Sequence, residues 1–339
     1  MNNHKKILFA FAIIFLFTSA PAFSQYSSQT IDDLQKAVDT FSRDITKSLS
    51  FNSTMGLNWS DAFIGKLFPS APPHFGFGFS IGATFLNIDS INGLLQNFDT
   101  DIPVDLALGL PLPGYTFEAR LGGIILPFDV GFKFGLLPDS IPILDSYGIG
   151  IDYMLIGGDI RYSFFDKVPV LRLSAGIGIN HLRGGISTTI PAGIPAFSFD
   201  NPVSNITHTL NVPDPVIGLR WKTTVFEAKA QASIKIPVIS PYLGFGLSYA
   251  RSEAGYEVKS NITVDGDPIS DDIKRLLQGL GITSITDSGF DSMINQSAFN
   301  IRVYGGLSFN IAVIRLDFTG MYNFMTSDLG ITLGLRFQL

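Results

Sequence analysis

The chain has 339 residues, no cysteine, 23 basic and 29 acidic side chains and a formal net charge of −6. The missing thiols exclude disulfides, thiolate metal sites and an acylated N-terminal cysteine, and the acidity argues against nucleic acid as a partner. Hydrophobic residues make up 46% and charged ones only 15%, yet no apolar stretch beyond the leader approaches the roughly 18 residues of a membrane-spanning helix.

Residues 1–24 read as a secretory signal peptide. Lys5 and Lys6 form a basic start, Ile7 to Phe17 an apolar run, and Ala22-Phe23-Ser24 supplies small residues at a cleavage site. The run is about half of what a bilayer-crossing helix needs, so removal is expected rather than retention as an anchor. Its loss takes the net charge to −8. Residues 25–49 then hold one amphipathic helix, Thr30 to Leu49, with Ile31, Leu34, Val38, Phe41, Ile45 and Leu49 along one face. Thr30 can cap it, and Asp32 and Asp33 lie where the helix dipole favours negative charge. It is expected either to plug a barrel or to pack as a periplasmic helix on the barrel rim.

From Phe75 the period changes to two. Phe75, Phe77, Phe79, Ile81, Ala83 and Phe85 take one face and Gly76, Gly78, Ser80, Gly82 and Thr84 the other. The pattern returns at Phe128 to Gly135 and at Leu171 to Asn180. From Thr224 to Ile236, Glu227, Lys229 and Lys235 lie on the face opposite Phe226, Ala228, Ala230 and Ile234. Local alternation cannot tell a soluble sandwich from a barrel with its faces reversed.

The end of the chain decides between them. Phe299 to Phe309, Ile314 to Phe324 and Leu329 to Leu339 form a meander with short links, and the last strand sets Leu329, Ile331, Leu333, Leu335, Phe337 and Leu339 against Gly330, Thr332, Gly334, Arg336 and Gln338. Left as an edge, such a strand would invite aggregation; in a closed barrel it pairs with the first. The expected fold is therefore all-β, a transmembrane antiparallel barrel of about 12 strands (range 10–14) over residues 50–339. The strands are expected at 329–339, 314–325, 297–310, 241–258, 222–236, 169–186, 147–164, 127–137, 115–124, 103–110, 75–88 and 50–59. A periplasmic C-terminus places the long stretches 187–215 and 259–296 outside.

The lumen-facing charges are then Glu118, Arg120, Asp129, Lys133, Asp159, Arg161, Arg172, Glu227, Lys229, Lys235, Arg302, Arg315, Asp317 and Arg336. Both signs interleave, which suits either a water-filled path or ion pairs that fill a narrow interior. Glu227 and Lys229 sit about 7 Å apart along one strand, too far to pair without side-chain reach, and Asp159, Arg161 and Arg172 are the nearest partners in chain order. Asp265, Asp267, Asp271 and Asp272 cluster in one loop, but without calcium-loop spacing, and Ser270-Asp271-Asp272 looks more like a helix cap. No cofactor or metal is expected. His74, His181 and His208 have no marked Ser or Asp partner, so no enzymatic role is expected. Trp59 and Trp221 read as interface anchors.

This layout resembles bacterial outer-membrane β-barrel proteins, and the last strand resembles their C-terminal targeting strand, with Leu339 where a terminal Phe is commoner. Leu171 to Gly178 and Val303 to Leu339 look like uncharacterised barrel families of Gram-negative bacteria. The N-terminal helix ahead of a barrel is similar in layout to long-chain fatty-acid transporters. The resemblance implies residence in the outer membrane among its lipids. It also implies insertion by the barrel assembly machinery through Leu333, Leu335, Phe337 and Leu339. The expected role is a channel or transporter for a small solute or hydrophobic, amphipathic ligand; the alternative is a structural or surface-interaction protein acting through its outer loops.

Overall fold

The computed structural model describes residues 40, 43–61, 74–86, 110–122, 127–137, 149–164, 170–189, 197–200, 207–211, 216–259, 263–268, 270–271 and 290–338. In chain order the strands are β1 (His74–Leu86), β2 (Leu110–Gly122), β3 (Phe128–Leu136), β4 (Ile149–Ser163), β5 (Leu171–Thr189), β6 (Phe197–Asp200) and β7 (Thr207–Asn211). There follow β8 (Val216–Ile234), β9 (Ile239–Lys259), β10 (Thr263–Val264), β11 (Asp267–Pro268), β12 (Phe290–Ile311), β13 (Ile314–Asn323) and β14 (Leu329–Gln338).

Ten of these close a ring in the order β1-β14-β13-β12-β9-β8-β5-β4-β3-β2, with β14 returning to β1 from Gly76↔Gln338 to Phe85↔Leu329. Every neighbouring pair is antiparallel. Closure removes the sheet edge that an apolar last strand would otherwise expose. The side chains are inverted relative to a soluble protein: Ile177 is 67% and Phe132 50% exposed, while Arg120 and Lys133 are each 1% exposed. Phe75, Phe77, Phe79, Phe134, Phe226, Phe245, Phe299, Phe309 and Phe318 all join the apolar exterior. A closed, even-stranded antiparallel barrel that is greasy outside and charged inside satisfies its backbone and presents hydrocarbon to lipid.

Ten strands fall at the lower end of the expected range, for two reasons. Residues 50–59 are not a strand: the spacing of Phe51, Met55, Leu57 and Trp59 mimics alternation, but these residues end a helix and run through the lumen, so the barrel begins at His74 rather than at 50. The expected strand 115–124 is the main part of β2, which already starts at Leu110, and 103–109 lie outside the described residues.

Links at one end are short, 235–238 and 312–313, while at the other end β5–β8 and β9–β12 are joined through the long stretches 190–215 and 260–289. The long side is the outer one in such barrels. There β5, β8, β9 and β12 rise above the apolar belt, and their exterior turns charged, with Arg220–Glu257 at 2.6 Å and Lys222–Glu253 at 2.7 Å. The two long connections meet in a small sheet, β11-β10-β7-β6. Its hairpin turns on Asp265 (φ 56°) and Gly266 (φ 89°), the left-handed pair that a two-residue turn of this hand demands.

Candidate functional site: the plugged lumen

A barrel of eight strands is about filled by its own side chains. Ten leave room for one more run of chain, and residues 43–61 occupy it. Residues 43–53 are helical and 54–61 irregular, the bend falling at Gly56 (φ 78°) and Leu57 (φ 56°). A Cβ at Gly56 would stand 2.6 Å from Thr116 Oγ1, so a side chain is excluded by space as well as by backbone. Ile45 and Leu49 are buried; Ile31, Leu34, Val38 and Phe41 of the expected plug helix lie outside the described residues. The helix continues past Leu49 to residue 53.

The plug descends from the outer mouth to the periplasmic one. Arg43 is exposed, Thr46 Oγ1 donates to Gln296 Oε1 (3.1 Å) and Ser48 Oγ to Asp328 Oδ1 (3.1 Å), all near the outer rim. Asn300 Nδ2 donates to Ser50 Oγ (2.6 Å), and Asn52 Nδ2 to Thr84 Oγ1 (2.8 Å). Phe51 and Met55 pack on Tyr242, Tyr304 and Met321. At the bottom Arg336 holds Ser60 Oγ (2.9 Å) and Asp61 Oδ2 (2.7 Å).

Midway lies a belt of charge. Arg161, Asp129, Arg120, Asp159, Lys229, Glu227 and Arg302 form one chain of alternating sign, with successive contacts of 2.6, 2.5, 2.6, 2.6, 3.6 and 3.0 Å. Glu227 and Lys229, expected to need side-chain reach, meet at 3.6 Å, and Lys229 takes Asp159 while Arg161 takes Asp129. Asp159 lies two strands from Lys229. The reach is open because Gly178 of β5 stands between Asp159 and Glu227 in register, where a Cβ would press on Asp159 Cβ at 3.1 Å. Gly131 of β3 clears the same passage for Arg120 and Asp159, since a Cβ there would stand 2.5 Å from Asp159 Oδ1. Such charges stay buried because each finds an opposite partner.

The belt also grips the plug. Lys133 Nζ donates to the carbonyls of Ser53 (2.8 Å) and Met55. Leu57 O accepts from Arg120 (3.1 Å) and Lys229 (3.3 Å), and Trp59 O from Arg161 (3.4 Å) and Gln231 (2.7 Å). Glu118 accepts from Leu57 N–H (2.8 Å) and from the Trp59 indole (2.5 Å). The irregular segment thus replaces helix hydrogen bonds with side chains from the wall. Asp317 and Arg336 pair below the belt (2.5 Å), and Arg172, Lys235 and Arg315 lie at the periplasmic end.

Several expectations shift. Trp59 and Trp221 are not interface anchors: both are buried in the lumen, Trp59 beneath the Arg336 guanidinium at 4.8 Å from its ring centroid. Their indoles face inward because Trp59 belongs to the plug and Trp221 stands in the inner row of β8, over Gly184. Asp265 is a turn residue that accepts Thr209 N–H (2.8 Å), and among the described residues no group of three His, Asp or Glu is placed to hold a metal. The contacts that the plug's Ser48, Ser50, Asn52 and Trp59 make with Asp328, Asn300, Thr84 and Gln231 of the wall go beyond what the sequence singles out. For the plug residues the signal is the run of Ser, Asn and Thr from Ser48 to Ser60, too polar for a packed soluble core. Toward the outer mouth the inner wall carries an apolar patch, Leu155, Leu182, Val225 and Ala250, all fully buried, beside the polar Asn180, Thr223 and Ser252.

No protein-family model matches the chain, and no curated protein matches its sequence. Among solved structures it is similar to the NalP autotransporter translocator domain from Neisseria meningitidis (10% identity, 92% of this chain and 99% of that one, TM-score 0.35). It is similar as well to Ail, the attachment invasion locus protein of Yersinia pestis (10%, 79% and 97%, 0.28), and to the toluene transporter TbuX of Ralstonia pickettii (9%, 80% and 90%, 0.27). Likeness this distant assigns no function; the ring closure and the inverted faces stand on their own. The protein is an outer-membrane β-barrel.

Proposed function

We propose that the protein is a gated conduit for small amphipathic solutes, with residues 43–61 as its gate. The observation that carries this reading is how the lower plug is held: by side-chain hydrogen bonds from Lys133, Arg120, Arg161, Lys229 and Gln231 to its carbonyls. Each such bond is worth about 1 to 3 kcal/mol net, because water can replace it. Withdrawal therefore leaves a hydrated, charge-lined wall rather than a collapsed apolar core. The apolar patch of the inner wall at Leu155, Leu182 and Val225 above the charged belt suits a solute with a greasy body and a polar end.

Single-channel recording in planar bilayers tests this, comparing the full mature chain with one lacking residues 25–61. The truncated barrel is expected to conduct steadily and the full chain only in brief openings. A second reading is favoured by the outer sheet of β6, β7, β10 and β11, which ties the two long connections together above the membrane: a surface-interaction protein. Absence of conductance in both forms, with no uptake of a hydrophobic ligand by either, would leave that reading in place of the first.

A further inference from the structure

At the periplasmic mouth, among the described residues, Arg315 and Lys235 stand without an ion-pair partner. Arg315 and Arg336 stand directly opposite each other on β13 and β14, an unfavourable cross-strand pair. Arg336 takes both carboxylates within reach, Asp317 through Nε (2.5 Å) and Nη2 (3.2 Å) and Asp61 through Nη1 (2.7 Å). Arg315, only 9% exposed on the same inner row, makes no ion pair among the described residues, and its Nε has no acceptor. Lys235 follows β8, its N–H bonded to Val170 O (2.8 Å), and its ammonium lies within electrostatic range of Arg172, Asp61 and Arg315. It too makes no ion pair among the described residues. Besides its pair with Arg336, Asp61 lies within electrostatic range of Arg315 and Arg172. The carboxylate at the foot of the plug is thus shared by three guanidiniums.

We propose that this ring is a binding site for a dissolved small oxyanion, a carboxylate or phosphate, seated on Arg315 and Lys235 with Asp61 as its built-in competitor. Arg315 supplies a planar fork that matches an oxyanion, and Lys235 a mobile point charge at the rim. An anion arriving there draws Arg336 away from Asp61 and so loosens the foot of the plug. The site stands whether or not solutes pass through the barrel.

The test is a titration of the purified full mature chain with inorganic phosphate at fixed ionic strength, followed by phosphorus NMR line broadening, in phosphatidylcholine nanodiscs. Saturable binding is expected, weakened roughly tenfold by Arg315→Gln and by Lys235→Gln, since a charge-assisted hydrogen bond accounts for about that factor. Asp61→Asn is expected to strengthen it by a similar factor. Lys222→Gln, on the outer exterior, serves as a control without effect. Lys235 is exposed beyond the strand, so its variant keeps the test open if Arg315→Gln fails to fold. Binding that is absent from both wild type and Asp61→Asn, or indifferent to Lys235→Gln, would overturn the proposal. Loss of phosphate binding in phosphatidylglycerol nanodiscs alone would overturn it in favour of a lipid headgroup.

Discussion

Asp159 carries two cations, Arg120 and Lys229, each at 2.6 Å, at a point where all three side chains are shut away from bulk water. Removing its charge leaves each cation one carboxylate and the Leu57 carbonyl: Arg120 keeps Asp129 at 2.5 Å, and Lys229 keeps Glu227 at 3.6 Å. Asp159→Asn is therefore expected to cost about 3 kcal/mol, the low end for a broken buried pair because Asn still accepts a hydrogen bond. The urea midpoint at which the compact, heat-modifiable gel form disappears should fall accordingly; an unchanged midpoint would mean that water already screens the cluster. Alternation in the sequence is enough to put Glu227 and Lys229 on one face, since successive strand residues point opposite ways. It carries no information on partners, and Arg302, which holds Glu227, is 75 residues away in the chain.

At the scale of elements, the closing strand and the plug behave differently. In β14 every second residue from Leu329 to Phe337 faces outward, and the pairing Phe77↔Phe337 brings their rings to 5.2 Å across the seam of the barrel. Phe337→Asp removes that stack and puts a carboxylate on the lipid side near the rim, where the cost is about 1 kcal/mol for the charge and about 1 kcal/mol for the rings. A clear fall in the amount recovered from the outer membrane is expected; wild-type levels with normal heat modifiability would show that seam contacts do not limit assembly. The strand was legible because its period of two persists to the end of the chain. Residues 50–59 were not, since Phe51, Met55, Leu57 and Trp59 have the same spacing inside the lumen that a lipid-facing row has outside it. Only the wall contacts of Lys133, Glu118 and Gln231 distinguish the two.

For the molecule as a whole, the direction of the plug has a topological consequence. It passes from Ser48 at the outer rim to Asp61 at the periplasmic end, the end at which β1 also begins, at His74. Arg43, at the head of the plug, therefore stands at the outer mouth. In this cysteine-free protein, Arg43→Cys is expected to react with a bulky PEG-maleimide on intact cells, and Lys235→Cys only after the outer membrane is permeabilised. The reverse pattern would invert the barrel in the membrane.

The sequence by itself determined that the chain is β-structure with one greasy and one polar face per strand, because a period of two is a local property that any ten residues display. It also determined that the last strand must be paired rather than left as an edge, since its apolar row runs to the end. Only the tertiary structure decided that ten strands close the ring, that a stretch of irregular chain fills it, and which charges meet across it. Those follow from strand register, from the lumen width that the strand number leaves, and from the glycines at 131 and 178 that let side chains reach past a neighbouring strand. All three are long-range conditions, satisfied only when segments up to 280 residues apart, such as Ser48 and Asp328, are brought to one place.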